Sequence, residues 1–117
     1  MIDLRNNDGG AYAGIPLVGH TLDKPYDAGV FVSQPWAREM NRAPSDSDIA
    51  GIAPWKGWSI TSFWRDVQDN RLTRIQFEPV GPIYAGPVFV LVSAKTFSAA
   101  EMTADAFKGS GRATLVV

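Results

Sequence analysis

One stretch organises this chain: Gly86-Pro-Val-Phe-Val-Leu-Val-Ser-Ala-Lys-Thr-Phe-Ser-Ala-Ala-Glu101. Pro87 to Ser93 is a short apolar run rich in β-branched residues, which predicts a strand buried on both faces of a sheet. A turn follows, and a helical pattern begins at Ser98. The stretch therefore predicts a serine at a helix start, beyond the carboxyl end of a strand, where ligands and reacting groups bind in open α/β sheets.

Two interpretations of Ser98 compete. In the first, Ser98 and Glu101 form a capping box, in which each side chain accepts a hydrogen bond from the other residue's backbone amide, and no function is needed. In the second, Ser98 is a nucleophile, and the negative charge of an acyl intermediate faces free backbone amides at the helix start. The local sequence leaves both interpretations open.

The composition is that of a single globular domain over residues 1–117. The chain is 45% hydrophobic and 20% charged, with a formal net charge of −1. This balance gives no basic field for nucleic acid or an anionic membrane, and no membrane-spanning segment or signal peptide is visible. Because there is no cysteine and His20 is the one histidine, neither a metal site nor a cofactor is expected.

The rest of the chain alternates between predicted strands and helices. Ile2 to Arg5 predicts a strand, and Asn6-Asn-Asp-Gly-Gly10 predicts a turn whose two glycines allow positive φ and close approach of the backbone to a ligand. Further strands are predicted at residues 29–33, 71–78 and 113–117, and further helices at residues 11–22 and 59–70. This alternation predicts an α/β fold with a mixed sheet.

A long segment, about residues 34–58, predicts an exposed loop because it contains three prolines and a polar cluster. Trp36, Trp55 and Trp58 lie in or beside it, and Trp64 follows in the next helix. These tryptophans either pin the loop to the domain through their large apolar surface or form the wall of a substrate site.

Two separated motifs resemble those of one family. Asp3-Leu-Arg-Asn-Asn-Asp-Gly-Gly10 is similar to the strand and glycine turn of the C-terminal processing, or tail-specific, serine peptidases. Gly86–Val92, Thr96–Glu101 and Gly111–Val117 resemble that family's nucleophile strand, nucleophile helix and following strand, in the same order. The form Phe-Ser-Ala-Ala-Glu is most similar to the branch of tricorn-like peptidases and the retinoid-binding modules of photoreceptors.

The resemblance implies a fold similar to the ClpP and crotonase type, built from β-β-α units, as a partial peptidase core without the peptide-binding module. It implies that Ser98 is the nucleophile and that Glu101 supports the site or caps the helix. The amide of Ala99 and one from Gly9 or Gly10 would form the oxyanion hole. The implied reaction is hydrolysis of peptide bonds near unstructured carboxyl termini through an acyl-enzyme, and the implied full-length protein is exported or periplasmic.

The general base of the family has no match in this chain. In the lysine-dependent branch the base lies past the strand that here ends at Val117, and in the tricorn-like branch a histidine and a glutamate come from other segments. His20, as a surface or helix-end residue, and Lys95, as a solvated one, are not expected to substitute. Lys108 would lie about 15 Å along the helix. We therefore expect weak or no activity, with a non-catalytic module that binds a peptide tail or an apolar ligand as the alternative.

The terminal strands, Ile2–Arg5 and Ala113–Val117, are expected to have open edges, because we interpret the chain as a piece of a longer protein cut at both ends. Unpaired backbone groups along apolar edges favour strand addition between copies. Self-association through a terminal strand is therefore expected.

Overall fold

The computed structural model describes every residue from Met1 to Val117. Its elements follow the order β1 (Ile2–Asp3), α1 (Gly14–Gly19), β2 (Tyr26–Val32), α2 (Gln34–Met40), α3 (Asp46–Ala50), α4 (Ile60–Asp69), β3 (Leu72–Phe77), β4 (Val88–Leu91), α5 (Ala99–Gly109) and β5 (Ala113–Val116). Two compact units result, one of residues 1–26 and 77–117 and one of residues 27–76. The predicted α/β class is confirmed, with parallel and antiparallel strands in separate sheets. None of the helices has the length and apolar character needed to cross a membrane.

The first unit is built on a parallel sheet in the order β1–β4–β5. Ile2 of β1 pairs with Val90 of β4, which also pairs with Leu115 of β5. The apolar, β-branched run that predicted a central strand therefore forms the middle of the sheet. β1 and β5 are the outer strands, and self-association through their edges remains a prediction.

The expectation that β4 is buried on both faces is wrong. Val88 and Val90 are buried, whereas Phe89 is 48% exposed. Side chains alternate along a strand, and α5 packs against β5 and α1, so the helices cover the face that carries the two valines. The apolar run predicted a strand correctly, but a run of this kind does not show how many of its faces are covered.

Helix α5 packs into the first unit along one side, as its helical spacing predicts. Phe107 is fully buried, while Glu101 and Lys108 are exposed. Helix α1 approaches α5 so closely that a Cβ on Gly14 would lie 1.8 Å from Thr103 Oγ1. Only glycine permits this approach, which sets the distance between the glycine turn before α1 and the start of α5.

The second unit contains the antiparallel pair β2–β3 and the helices α2, α3 and α4. The Ser33 amide donates to the Arg71 carbonyl at 3.1 Å, while the Asp27 carboxylate accepts from Arg74 Nε at 2.8 Å. Along β2 from Asp27 to Ser33, the residue numbers of the bonded partners decrease from Arg74 to Arg71. The two strands therefore run antiparallel. Buried and half-buried residues alternate strictly along β3, as expected of a strand with one covered face.

The segment 34–58 is not the plain loop that its prolines predicted, because it contains α2 and α3. The Ser33 hydroxyl caps α2 by accepting from the Trp36 amide at 3.3 Å, and Ser45 caps α3 with the Asp48 amide in the same way. Pro35 occupies the first turn of α2, where a helix tolerates proline because the missing amide has no intrahelical acceptor. The proline that indicated a loop instead marks a helix start.

The four tryptophans do not share one role. Trp36 and Trp55 are buried, in agreement with anchoring of this segment by large apolar side chains. The Trp55 ring also packs edge-on against Phe63 of α4, with ring centroids 5.4 Å apart. Trp58 and Trp64 are more than half exposed, so for them the anchoring interpretation is wrong.

The second unit is expected to lose stability progressively in acid, partly through Asp66. Trp55 Nε1 donates to Asp66 Oδ2 at 2.8 Å, and this hydrogen bond lowers the pKa of the Asp66 carboxyl. A carboxyl with a lowered folded-state pKa stabilises the fold above its unfolded pKa, about 4, and loses that contribution as the pH falls through the folded value. Asp66→Asn should therefore reduce the loss of stability below about pH 4.

Urea titrations followed by tryptophan fluorescence measure this dependence, because all four tryptophans lie in residues 27–76. Asp69→Asn, which changes an exposed carboxylate of the same helix, is the matched control. If both variants keep the acid dependence of the original chain, Asp66 does not contribute to it.

Candidate active site

The predicted site residues lie together in the first unit. The glycine turn between β1 and α1 faces the start of α5. A Cβ on Gly9 would lie 2.8 Å from Ser98 Cβ and 2.9 Å from both Ala99 N and the Phe97 carbonyl oxygen. Real Cβ atoms do not make contacts this short, so only glycine allows the turn and the helix start to meet. Two motifs far apart in the sequence thus form one site.

Hydrogen bonds hold the glycine turn against the loop between β4 and α5. Thr96 Oγ1 donates to the Leu4 carbonyl at 2.7 Å, and the Phe97 amide donates to the Asn7 carbonyl at 3.0 Å. Thr96 and Leu4 are buried, so the first of these bonds forms away from water, where unpaired groups are costly. They fix the position of the turn relative to Ser98.

Asp3 and Arg5 form a bidentate ion pair just before the turn. Arg5 Nε and Nη2 donate to the two Asp3 carboxylate oxygens at 2.9 and 2.7 Å, and the Arg5 amide donates to the same carboxylate at 3.0 Å. The side-chain hydrogen bond from Arg5 lowers the Asp3 pKa to about 2. Because both groups are exposed, the pair adds little stability, but it holds the backbone that leads into the turn in one conformation.

Ser98 differs from the other serine caps of this chain. Ser33, Ser45 and Ser59 cap their helices with φ between −72° and −90° and ψ between 154° and 167°, and their hydroxyls accept from helix amides. Ser98 instead has φ 58° and ψ −124°. Its side chain and Glu101 have the arrangement of a capping box, but the Ser98 hydroxyl accepts no well-formed hydrogen bond from the helix amides. Such a conformation costs on the order of 1–3 kcal/mol for a residue other than glycine, and a capping role does not require it.

Glu101 accounts for the capping-box spacing. Its Oε2 accepts from the Ser98 amide at 2.7 Å, and a carboxylate in the first turn also interacts favourably with the helix dipole. The carboxylate holds the Ser98 backbone. The Ser98 hydroxyl faces the Glu101 amide in the capping-box arrangement, but the two do not form a well-formed hydrogen bond.

The amides of Gly10 and Ala99 donate to no acceptor in the protein, whereas the Gly9 amide donates to Asn7 Oδ1 at 2.9 Å. Ala99 is the first residue of α5, where an amide has no intrahelical acceptor. Gly9 and Gly10 have φ of 90° and 105°, a region that favours glycine. From the sequence, either glycine could supply the second oxyanion donor. In the structure, the amide that is free to donate is that of Gly10.

None of the three basic residues considered as a general base is hydrogen-bonded to Ser98. His20 is the C-cap residue of α1, as expected of a helix-end histidine, and its Nδ1 is 3.0 Å from the Pro82 carbonyl oxygen. Lys95 is exposed in the turn before α5, and Lys108 lies in the last turn of that helix. The Ser98 hydroxyl therefore has no basic partner in this structure.

A family model, described as peptidase family S41, matches residues 1–117, the whole chain. The chain belongs to peptidase family S41. This assignment agrees with the resemblance of the two motifs and identifies the chain as a serine-peptidase-type sequence. Comparisons with curated proteins and with solved structures gave no match.

A cavity of about 260 Å³ lies beside Gly9 and Ala99 in this S41 chain. Its walls are mostly small or apolar residues, from Leu4, the glycine turn, α1 and α5, together with the polar Asn7 and Thr103. A larger cavity, of about 640 Å³, is lined by second-unit residues that include Trp36, Trp55 and part of β3. Of these two cavities, only the smaller one is lined by residues of the predicted oxyanion hole, Gly9 and Ala99.

Sequence reasoning missed residues that position this S41 site. The Ser93 hydroxyl donates to the Arg5 carbonyl and accepts from the Lys95 amide at 3.1 Å. The Ser93 amide donates to Thr96 Oγ1 at 3.0 Å, which closes the turn before the helix. The sequence did contain a signal for these residues, namely a serine and a threonine at the two ends of a short turn. Hydroxyls in such positions commonly bond to nearby backbone groups.

Proposed function

We propose that this S41 chain is the core of a serine-type peptidase in which Ser98 is the nucleophile. The observation that carries the proposal is the Ser98 backbone, which is held at positive φ against Gly9, a conformation that a capping role does not need. Strained residues of this kind cluster at active sites, where the surrounding structure maintains them. The interactions of Glu101 and Thr96 supply that constraint here.

In the proposed reaction, Ser98 Oγ attacks the carbonyl carbon of a peptide bond and gives its proton to solvent water, from which the leaving amine later takes one up. The carbonyl oxygen becomes an anion that accepts hydrogen bonds from the amides of Gly10 and Ala99. Collapse of this intermediate breaks the carbon–nitrogen bond, the leaving amine takes up a proton, and water hydrolyses the Ser98 ester. A single oxyanion donor typically accounts for about 100- to 1000-fold in rate, so two preorganised amides supply a large part of the catalysis.

Glu101 is proposed as a positioning residue. Its carboxylate accepts from the Ser98 amide, so it controls the direction of the Ser98 side chain without contacting the substrate. Because the Ser98 hydroxyl has no basic partner, we propose weak activity for residues 1–117 alone. From the resemblance, the proposed substrate is an unstructured carboxyl-terminal segment, and the proposed relationship within the family is to the tricorn-like branch.

A fluorophosphonate probe tests the nucleophile, because it forms a covalent bond with an activated serine hydroxyl. We expect slow labelling of the chain, located at Ser98 by peptide mapping, and no labelling of Ser98→Ala. Ser110→Ala, which changes the serine at the other end of α5, is the matched control and should be labelled at the original rate. A label on another residue, or an equal rate in Ser98→Ala, would falsify the assignment of Ser98.

The second candidate is a non-catalytic module that binds a peptide tail or an apolar ligand. Two observations favour it: the Ser98 hydroxyl lacks a basic partner, and the second unit has a cavity lined in part by Trp36 and Trp55. Saturable quenching of tryptophan fluorescence by peptides, together with no labelling of Ser98, would support this candidate. Labelling of Ser98 without any saturable fluorescence change would exclude it.

A further inference from the structure

The cavity beside the start of α5 has the position and chemistry of a side-chain pocket. It contacts Gly9 and Ala99 and extends between α1 and α5 to Thr103. The virtual Cβ of Gly9 is 2.8 Å from Ser98 Cβ, so the cavity begins within one residue of the proposed nucleophile. Ala99, whose amide would hold the substrate carbonyl, lines this cavity, so the side chain next to that carbonyl is within reach of it.

The cavity offers no partner for a charge. Its lining residues are all uncharged, and its two polar side chains already have partners. Asn7 Oδ1 accepts from the Gly9 amide at 2.9 Å, and Thr103 Oγ1 donates to the Ala99 carbonyl at 2.9 Å. A charged group that entered would lose its hydration without compensation, whereas an aliphatic group would lose only contact with water.

The size of the cavity restricts the ligand to part of a molecule. Pockets that enclose a whole small ligand measure roughly 300–1,000 Å³, and this cavity, at about 260 Å³, is smaller. Leu17 of α1 lines it and is 44% exposed, so its side chain borders both the cavity and the solvent. The cavity thus has room for a single side chain that enters past Leu17.

We infer that this cavity binds the aliphatic side chain of the residue whose carbonyl Ser98 attacks, and that Leu17 helps to set this preference. The inference rests on the proposed function for the identity of the ligand. It specifies the substrates as chains with an uncharged aliphatic residue, of about the size of valine or leucine, immediately before the cleaved bond. Its binding component does not depend on the reactivity of Ser98.

The first measurement is ligand binding, monitored through the methyl NMR signals of the alanine and leucine residues. N-acetyl-leucinamide should shift the methyl signals of Ala99, Ala100 and Leu17 in a saturable manner, and N-acetyl-lysinamide should bind at least about tenfold more weakly. The absence of shifts at these methyl groups with the leucine compound would overturn the inference, whether or not Ser98 is reactive.

The second measurement is the rate at which α-aminoalkyl diphenyl phosphonates modify Ser98. Phosphonates with leucine or valine side chains should react at least about tenfold faster than those with lysine or aspartate side chains. Leu17→Glu should slow the leucine compound and accelerate the lysine compound, and Leu17→Lys should accelerate the aspartate compound instead. Ile83→Glu is the matched control, because Ile83 is also 44% exposed in the first unit and does not line the cavity.

The outcomes separate the two proposals. Binding of N-acetyl-leucinamide at the cavity methyl groups without phosphonate modification of Ser98 would support the pocket and contradict the nucleophile. Modification of Ser98 at rates that do not depend on the side chain, unchanged in both Leu17 variants, would support the nucleophile and overturn the pocket. Equal changes in Leu17→Glu and Ile83→Glu would also overturn it, because the effect would then arise from added charge alone.

Discussion

Gly9→Ala is expected to abolish detectable labelling of Ser98 and to lower the free energy of unfolding of the first unit by about 2–5 kcal/mol. The added Cβ would lie 2.8 Å from Ser98 Cβ and 2.9 Å from two backbone atoms of the helix start, none of which can rotate away. The φ of 90° adds conformational strain. Relief requires a shift of the turn or the helix, and a displacement of about 1 Å at a catalytic group can cost 100-fold in rate.

Gly10→Ala is the matched control for this prediction. Gly10 has a similar φ, 105°, but a Cβ there would meet no atom within 4 Å. Gly10→Ala should therefore have the conformational cost of about 1–2 kcal/mol without a short contact to the helix start. It also retains the backbone amide at position 10. Far-UV circular dichroism in urea is the appropriate measurement, since the first unit contains no tryptophan. Equal losses of stability and labelling in both variants would show that the contact with Ser98 is not the cause.

Arg112→Met is expected to destabilise the first unit by about 2–4 kcal/mol. Arg112 Nε donates to the Thr21 carbonyl at 2.5 Å, and Nη2 donates to the carbonyls of Tyr84 and Gly86 at 3.0 and 3.1 Å. One guanidinium thus joins the segment after α1 to the segment before β4. Methionine keeps an apolar side chain of similar length but leaves three carbonyl groups without this donor.

Arg112→Lys should restore only part of the stability, because an ammonium group is a compact charge and cannot span three separated acceptors as a guanidinium does. Lys108→Met, which removes an exposed cation from the last turn of α5, should cost less than about 1 kcal/mol. Urea unfolding and amide exchange at Val80 and Tyr84, whose amides bond to the carbonyls of Gly19 and His20, report the change. Unaltered exchange at these two amides in Arg112→Met would contradict the proposed link.

Local sequence signals were sufficient for the elements on which the site depends. The apolar run before Ser93 forms β4, the periodicity after Ser98 forms α5, and the two glycines form a turn with positive φ. These features depend on neighbouring residues, through strand propensity, helical spacing and the conformational freedom of glycine. The two motifs also indicated the peptidase family, which the match over residues 1–117 confirms.

Local signals were insufficient in the segment 34–58. Its prolines and polar residues are compatible both with a loop and with short capped helices, and the difference depends on burial of Trp36 and Trp55. Trp58 and Trp64 have the same residue type and are exposed. Residue type sets how much the burial of a side chain contributes to the free energy of folding. The other elements of the chain determine which side chains are buried.

The geometry around Ser98 was decided by tertiary structure. The Ser98–Glu101 spacing is that of an ordinary helix cap, and nothing in it predicts a φ of 58°. That conformation exists because Gly9 packs on the helix start while Thr96 and Glu101 hold the loop, and these contacts join residues far apart in the chain. The choice of the Gly10 amide over that of Gly9 has the same origin, since Asn7 occupies the Gly9 amide. The sequence by itself indicated which residues would lie around Ser98, and long-range packing determined their conformation, because a strained backbone persists only where surrounding contacts maintain it.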